Sequence, residues 1–194
     1  MKRHLDLGCG PRPRDPYGAD ELYGIDLRAG LTAEGTVRIE VANLALQPIP
    51  FTENFFDSVS AYDFFEHIPR VSLDHSSGTT CFPFIALMNE VWRVLRPGGL
   101  LYAVTPVYPH EKSFRDPTHV NLLTTRTYRY FTRPRLEARM YGFVGEFDLV
   151  RQVRVRPRGV YEPFPAAPGR WLQRMLDGLA NERSHLVWEM SAFK

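Results

Sequence analysis

An α/β fold built on a mostly parallel, seven-stranded sheet is what the sequence predicts, and three observations carry that prediction. An apolar strand runs straight into a glycine turn at His4-Leu5-Asp6-Leu7-Gly8-Cys9-Gly10. Short runs of β-type periodicity then alternate with turns and one helical stretch, and two alternating runs close the chain as an antiparallel pair. Finally, 194 residues with 44% hydrophobic and 24% charged side chains suit one globular domain with a substantial core. That domain is expected to span residues 1–194, without internal repeats.

In the first strand His4, Leu5 and Leu7 suit a buried central position, and Gly8 and Gly10 let the backbone turn sharply because no Cβ obstructs it. Pro11, Pro13 and Pro16 then disfavour a regular helix. Glu21 to Asp26 reads as a second strand that ends in an acid. Thr36 to Ala42 alternates apolar Val37, Ile39 and Val41 with polar Arg38 and Glu40, a third, half-exposed strand closed by Asn43-Leu44. After a loop at Gln47 to Phe51, Asp57 to Tyr62 forms the fourth strand. Val71 to Cys81, rich in Ser, Thr and Gly, reads as a mobile surface loop. Phe84 to Leu95 carries Ile85, Met88, Val91, Trp92 and Leu95 at helical spacing until Arg96-Pro97-Gly98-Gly99 stops it. Leu100 to Thr105 is a buried fifth strand. A polar, aromatic stretch over 107–135 has little periodicity, and an amphipathic helix follows from Arg133 to Tyr141. Phe147–Arg156 and His185–Phe193 form the closing pair, joined by a loop and short helix over Pro163–Asn181.

A formal net charge of +2 is too small to argue for a nucleic-acid partner. Two cysteines, Cys9 and Cys81, supply neither a disulfide framework nor metal-type spacing. No signal peptide opens the chain, and no apolar run approaches the roughly 18 residues of a membrane span. The expected setting is the reducing cytoplasm.

The glycine turn aims amide N–H groups into a crevice at the carboxyl end of its strand, where α/β sheets bind ligands. Asp6 offers a carboxylate to an ammonium group. A nucleotide-like ligand with a cationic tail fits. If the segment after the fourth strand is helical, Asp63, Glu66 and His67 share one face, able to place a base or bind Mg²⁺. A second polar cluster, Asp116-Pro117-Thr118-His119, stands in the irregular stretch after the fifth strand. A dinucleotide site would need a third glycine where Pro13 stands.

Taken in order, Leu5-Asp6-Leu7-Gly8-Cys9-Gly10, Tyr23-Gly24-Ile25-Asp26, Phe55-Phe56-Asp57-Ser58-Val59 with Glu66-His67-Ile68, and Leu95-Arg96-Pro97-Gly98-Gly99-Leu100-Leu101 carry a family likeness. They resemble the motifs of class I S-adenosylmethionine-dependent methyltransferases, the bacterial type 11-like group in particular. The resemblance implies a Rossmann-like, three-layer α/β/α fold whose seven-stranded sheet has one antiparallel strand. It implies S-adenosylmethionine as cofactor and S-adenosylhomocysteine as product. The cofactor contacts would come from Asp6, Gly8, Cys9, Gly10, Asp26, Leu27, Asn43, Leu44, Ala61 and Tyr62. Of these, Asp26 would hold the ribose and Asn43 the adenine amino group. Leu27 and Leu44 would lie on the ring faces, and Ala61 and Tyr62 near the reactive end. The Cys9 side chain itself reads as a small packing group.

Glu66, His67 and His119 are the catalytic candidates. Quinone-ring O-methyltransferases carry a similar acid-x-x-Glu-His metal site, but Asp63 is one methylene shorter, and no metal ligand set is assigned. The expected reaction is methyl transfer to a small molecule or glycan precursor, at oxygen. Nothing resembles the Asn-Pro-Pro-Tyr motif of amino-directed nucleic-acid methyltransferases. The oligomeric state stays open, a homodimer included. The other reading is a non-catalytic domain that keeps the fold and binds cofactor or a protein partner, suggested by the missing first helix.

Overall fold

The computed structural model describes residues 1–31, 37–74, 76–156 and 183–194. Seven strands form one sheet: β1 (Arg3–Leu7), β2 (Glu21–Asp26), β3 (Arg38–Val41), β4 (Phe56–Tyr62), β7 (Leu95–Pro106), β8 (Phe147–Val155) and β9 (His185–Ala192). Their order across the sheet is β3-β2-β1-β4-β7-β9-β8. The first five pair in parallel, and β9 runs antiparallel to both of its neighbours. The chain leaves β1 toward β2 and β3, then returns to place β4 on the other side. The carboxyl ends of β1 and β4 therefore flank the topological switch point, the usual ligand crevice of such sheets.

Alternation along the strands separates two unlike faces. Leu5, Leu7, Ile25, Val59 and Ala61 point into the main core, where they meet α1 (Pro83–Val94). That helix buries Phe84, Leu87, Met88, Val91 and Val94 at helical spacing, with Pro83 in its first turn, where a missing N–H costs nothing. Ile85 and Trp92, part of the expected apolar stripe, lie half-buried at its edge. The opposite face carries His4, Asp6, Ser58 and Ser60 beside a smaller apolar cluster of Tyr62, Tyr102, Val104, Val155 and Val187. Tyr17, from the proline-rich segment, packs on that cluster, so both faces of the sheet are covered.

Four sequence expectations need correction or trimming. The 71–81 segment is a two-stranded hairpin, β5 (Ser72–Asp74) with β6 (Thr79–Cys81), and not a loop. Its turn is held by Asp74, which accepts hydrogen bonds from Ser76 and Ser77 that keep its carboxyl down at about 2. The fifth predicted strand starts earlier, at Leu95, which already pairs with Phe56; residues 96–99 bulge out before Leu100 pairs with Ser58. The helix expected over 133–141 shrinks to a single 3₁₀ turn, Glu137–Tyr141, because Leu136 adopts a left-handed conformation with φ of 47°. The irregular 107–135 stretch contains a four-residue helix, α2 (Lys112–Arg115), and a 3₁₀ turn at Thr127–Tyr130.

The proline-rich segment contains no helix, as expected. Thr36, the expected start of the third strand, and the expected loop and helix over Pro163–Asn181 lie outside the described residues. Among the described residues no helix is long and apolar enough to cross a membrane.

Candidate active site

The glycine turn is built as its composition requires. Gly8 and Gly10 both have positive φ, 64° and 61°, and a Cβ on Gly8 would stand 2.5 Å from the Phe64 ring. The turn is tied to the end of β2 by two bonds: Cys9 N–H donates to the Ile25 carbonyl at 3.1 Å, and Gly10 N–H donates to Asp26 Oδ2 at 2.8 Å. Beside it, at the carboxyl ends of β1, β2 and β3, a cavity of about 120 Å³ is lined by Gly8, Asp26, Leu27, Asn43, Leu44 and His67, among others.

Asp26 is buried yet charged. Burial alone would raise its carboxyl, but the Arg28 side chain and the amides of Arg28 and Gly10 outweigh it and hold the group below the ordinary carboxylate range. Arg28 grips both oxygens: Nε and the backbone N–H reach Oδ1 at 2.9 and 3.0 Å, and Nη2 reaches Oδ2 at 3.2 Å. Sequence reasoning missed Arg28, although an arginine two residues beyond a strand-ending acid was the available signal. Leu44 is buried in the cavity wall, whereas Leu27 is 65% exposed at its mouth. Asn43 closes a tight turn, its Oδ1 accepting from Ala45 N–H and its own N–H donating to Gln47.

Other candidates stand apart from the cavity. Asp6, expected to face a ligand ammonium, is turned to the opposite face of the sheet, because alternation from inward-facing Leu5 and Leu7 leaves it no other direction. There it accepts hydrogen bonds from Ser60 Oγ at 2.7 Å and Arg14 N–H at 2.8 Å, and burial pushes its carboxyl up to about 7. Ala61 and Tyr62 are buried in β4, and Tyr62 lies under the Arg14 guanidinium. Cys9 packs against Gly24, leaving room there for no Cβ, and burial pushes its thiol up to about 12. A packing role for its side chain agrees with that geometry.

The catalytic candidates converge from two segments. After β4 the chain makes a single 3₁₀ turn, Phe65–His67. The expected helical face therefore does not form: Asp63, with φ of 48°, turns to His185 Nε2 at 3.3 Å. The 107–135 loop brings His119 in its place. Its Nε2 stands 4.0 Å from Glu66 Oε1 and 3.9 Å from Asp116 Oδ2, and its ring meets that of His67 at 4.8 Å. The loop is pinned there by Val120 and Asn121 N–H groups on the Glu66 carbonyl. Glu66 is 2% exposed; burial pushes its carboxyl up to about 8, opposed in part by the Thr105 hydroxyl on Oε2. Thr118, another group not foreseen, joins His67 Nδ1 at 3.0 Å to Asp116 at 2.6 Å.

Comparison with known proteins fits this architecture. A family described as a methyltransferase domain matches residues 5–103, just over half of the chain. No curated protein sequence matches. Among solved structures, a chain from the Haloferax volcanii complex of the Trm112 methyltransferase activator with its methyltransferase partner aligns with a TM-score of 0.63. It is 18% identical and covers 100% of this chain and 83% of the other. An S-adenosylmethionine-dependent methyltransferase from Mesorhizobium loti aligns at 0.57, with 15% identity, 97% of this chain and 90% of the other. The cyclase SpnF aligns at 0.59, with 17% identity, 99% of this chain and 75% of the other. At such identities the likeness speaks for the fold and not for the reaction. With the domain match over more than half of its length, on a fold shared with solved methyltransferases, the chain belongs to the methyltransferase domain family, among the class I S-adenosylmethionine-dependent methyltransferases.

Proposed function

We propose that the chain, acting as one domain, transfers a methyl group from S-adenosylmethionine to an oxygen of a small molecule or glycan precursor. One observation carries this reading: His67 lines the same cavity as Asp26 and Asn43, so a polar proton-handling cluster adjoins the nucleoside-binding residues. The residues fit the nucleoside half of the cofactor. Asp26 is a buried, charged acceptor for two ribose hydroxyls, Asn43, two residues beyond β3, would offer its side-chain amide to the adenine, and Leu27 and Leu44 offer apolar faces. Asp6, engaged by Ser60 and Arg14, is not among the residues that line this cavity. When bound, the cofactor supplies an electrophilic methyl on a sulfonium. Glu66, His67 and His119 would position the acceptor hydroxyl beside the cavity for in-line attack on the methyl group.

Calorimetry of the purified chain tests the assignment. Micromolar binding of S-adenosylmethionine and S-adenosylhomocysteine, with none of NAD, is the expected result. Asn43→Ala should weaken S-adenosylhomocysteine roughly tenfold, the worth of about one hydrogen bond. Unchanged affinity would remove Asn43 from the site.

A second reading, a non-catalytic domain, draws on a specific observation. The cavity of about 120 Å³ is smaller than the roughly 300 Å³ at which ligand pockets begin, and Arg28 already occupies Asp26. Silence toward both adenosyl ligands, in the wild type and in Arg28→Ala, would favour that reading.

A further inference from the structure

We infer that Glu66, His67 and His119 form a binding site for one divalent transition-metal ion, with a coordination position left open. Each residue offers one ligand atom, and the three atoms lie within 4.8 Å of one another. The set differs from the acid-x-x-Glu-His triple suggested by the sequence: Asp63 faces His185 instead, and the third ligand comes from more than fifty residues downstream, which only the folded loop can deliver.

Two buried groups point to a missing partner. Glu66 is 2% exposed, and its Oε1 has no hydrogen-bond partner among the described residues, although Oε2 is satisfied by Thr105. His119 has an 8% exposed side chain whose Nδ1 is also without a partner among the described residues. Buried polar atoms are normally paired, and the orphaned Glu66 Oε1 has His119 Nε2 at 4.0 Å, too far for a hydrogen bond, so the space between them calls for a group that is bound there.

The surroundings also prepare His67 as a ligand. Thr118 has one hydroxyl proton, and its 2.6 Å bond to Asp116 Oδ1, a pure acceptor, takes it. Thr118 Oγ1 must then accept from His67 Nδ1–H at 3.0 Å, which leaves the lone pair on Nε2. A hydrogen-bonded second nitrogen is the usual support of a metal-binding imidazole.

Two imidazoles and one carboxylate suit Zn²⁺, Fe²⁺, Co²⁺ or Mn²⁺ better than Mg²⁺ or Ca²⁺, which favour oxygen ligands throughout. Three protein ligands mark an open, catalytic type of site. Resting on the methyl-transfer reading, the open position would take the acceptor hydroxyl and lower its pKa. The O–H proton passes to water, the O–CH₃ bond forms as the sulfonium S–CH₃ bond breaks, and a neutral thioether leaves, with no change of oxidation state.

The test is titration of chelator-stripped protein with Zn²⁺ by calorimetry and with Co²⁺ by visible absorption. One ion per chain with a micromolar or tighter Kd is expected, with Co²⁺ bands of a low-symmetry, nitrogen-ligated site. His119→Ala and His67→Ala should each weaken Zn²⁺ at least tenfold. Thr118→Ala, on the surface, should weaken it less, and Asp63→Asn should leave it unchanged. Zn²⁺ should also raise the melting temperature of the wild type but not of His119→Ala. Absence of 1:1 binding by the wild type overturns the site, and so does equal affinity in both histidine variants. Binding of S-adenosylhomocysteine to the stripped protein is measured separately, so failure of the metal site and failure of the cofactor assignment are told apart.

Discussion

Asp26→Ala should abolish measurable S-adenosylhomocysteine binding, while Arg28→Ala should strengthen it. The two substitutions act on one carboxylate in opposite directions. Four donors now reach its two oxygens: Gly10 N–H and Arg28 Nη2 on Oδ2, and Arg28 N–H and Nε on Oδ1. A carboxylate has about four lone-pair sites, so a ribose finds the acid fully engaged. The amides of Gly10 and Arg28 are fixed by the backbone, and the guanidinium is the part that can leave. Its side chain is 63% exposed, and an exposed ion pair is worth at most about 1 kcal/mol. Arg28→Ala should therefore tighten binding by up to about fivefold. Loss of the carboxylate removes two hydrogen bonds to a charged group, worth together at least about 3 kcal/mol, or more than 100-fold in Kd. Thermal melting followed by circular dichroism serves as the fold control, because Asp26→Ala also leaves the Gly10 amide without its partner. Equal affinity in wild type and Asp26→Ala would sink the ribose assignment.

The parts of the fold that were legible are those in which a local pattern and the tertiary packing agree. Leu5 and Leu7 before two glycines, Glu21–Asp26, and the alternation at Phe147 and His185 each form the strand that their periodicity demands. The 71–81 hairpin was illegible because its one alternating run, Val71-Ser72-Leu73-Asp74, is short and leaves Val71 and Leu73 exposed; Asp74 and its serines, and not a buried face, hold it. The opposite error, a helix over 133–141, came from apolar spacing that a single left-handed residue, Leu136, interrupts.

In the site, Gly8, Asp26, Leu27, Asn43 and Leu44 line one cavity because strand ends are set by the sheet, whereas Ala61 and Tyr62, at the end of β4, stand apart from it. Asp6 was assigned to the ligand from its neighbours in sequence, although strand alternation alone puts it opposite Leu5 and Leu7. Asp63 was grouped with Glu66 and His67 on the assumption of a helical period, but the turn there is 3₁₀ and Asp63 lies outside it. His119 reaches Glu66 only through a loop pinned by Val120 and Asn121 amides, a contact without any local signature.

The buried network behind the glycine turn should make Asp6→Asn more stable than the wild type, by an amount that grows as pH rises. His4 hydrogen-bonds Ser58 through Nδ1 at 2.7 Å and Ser60 through Nε2 at 2.8 Å, and Ser60 donates onward to Asp6. Burial pushes Asp6 from 3.8 up to about 7 and, against the pull of Asp15, pushes His4 from 6.5 down to about 4. Between pH 4 and 6.5 the native pair thus holds its single proton on Asp6, and the unfolded pair holds it on His4. Their contributions to the pH dependence oppose one another across that window, and the wild type conceals both. Asp6→Asn keeps the shape, with its oxygen accepting from Arg14 N–H and its amide donating to Ser60, but has no proton to lose. From pH 4 to 7 the unfolded Asp6 has released its proton while the native one retains it, so the Asp6 contribution to stability falls as pH rises through that window. The variant escapes this loss. Its advantage over the wild type should grow by a few kcal/mol, on the order of 10 °C in Tm, between pH 4 and 7. The variant alone should also lose stability as pH falls from 6.5 to 4, when unfolded His4 gains a proton that native His4 refuses. Melting curves of both proteins at half-unit steps of pH measure the difference directly. A difference in Tm that stays constant from pH 4 to 8 would mean that Asp6 is charged in the folded chain.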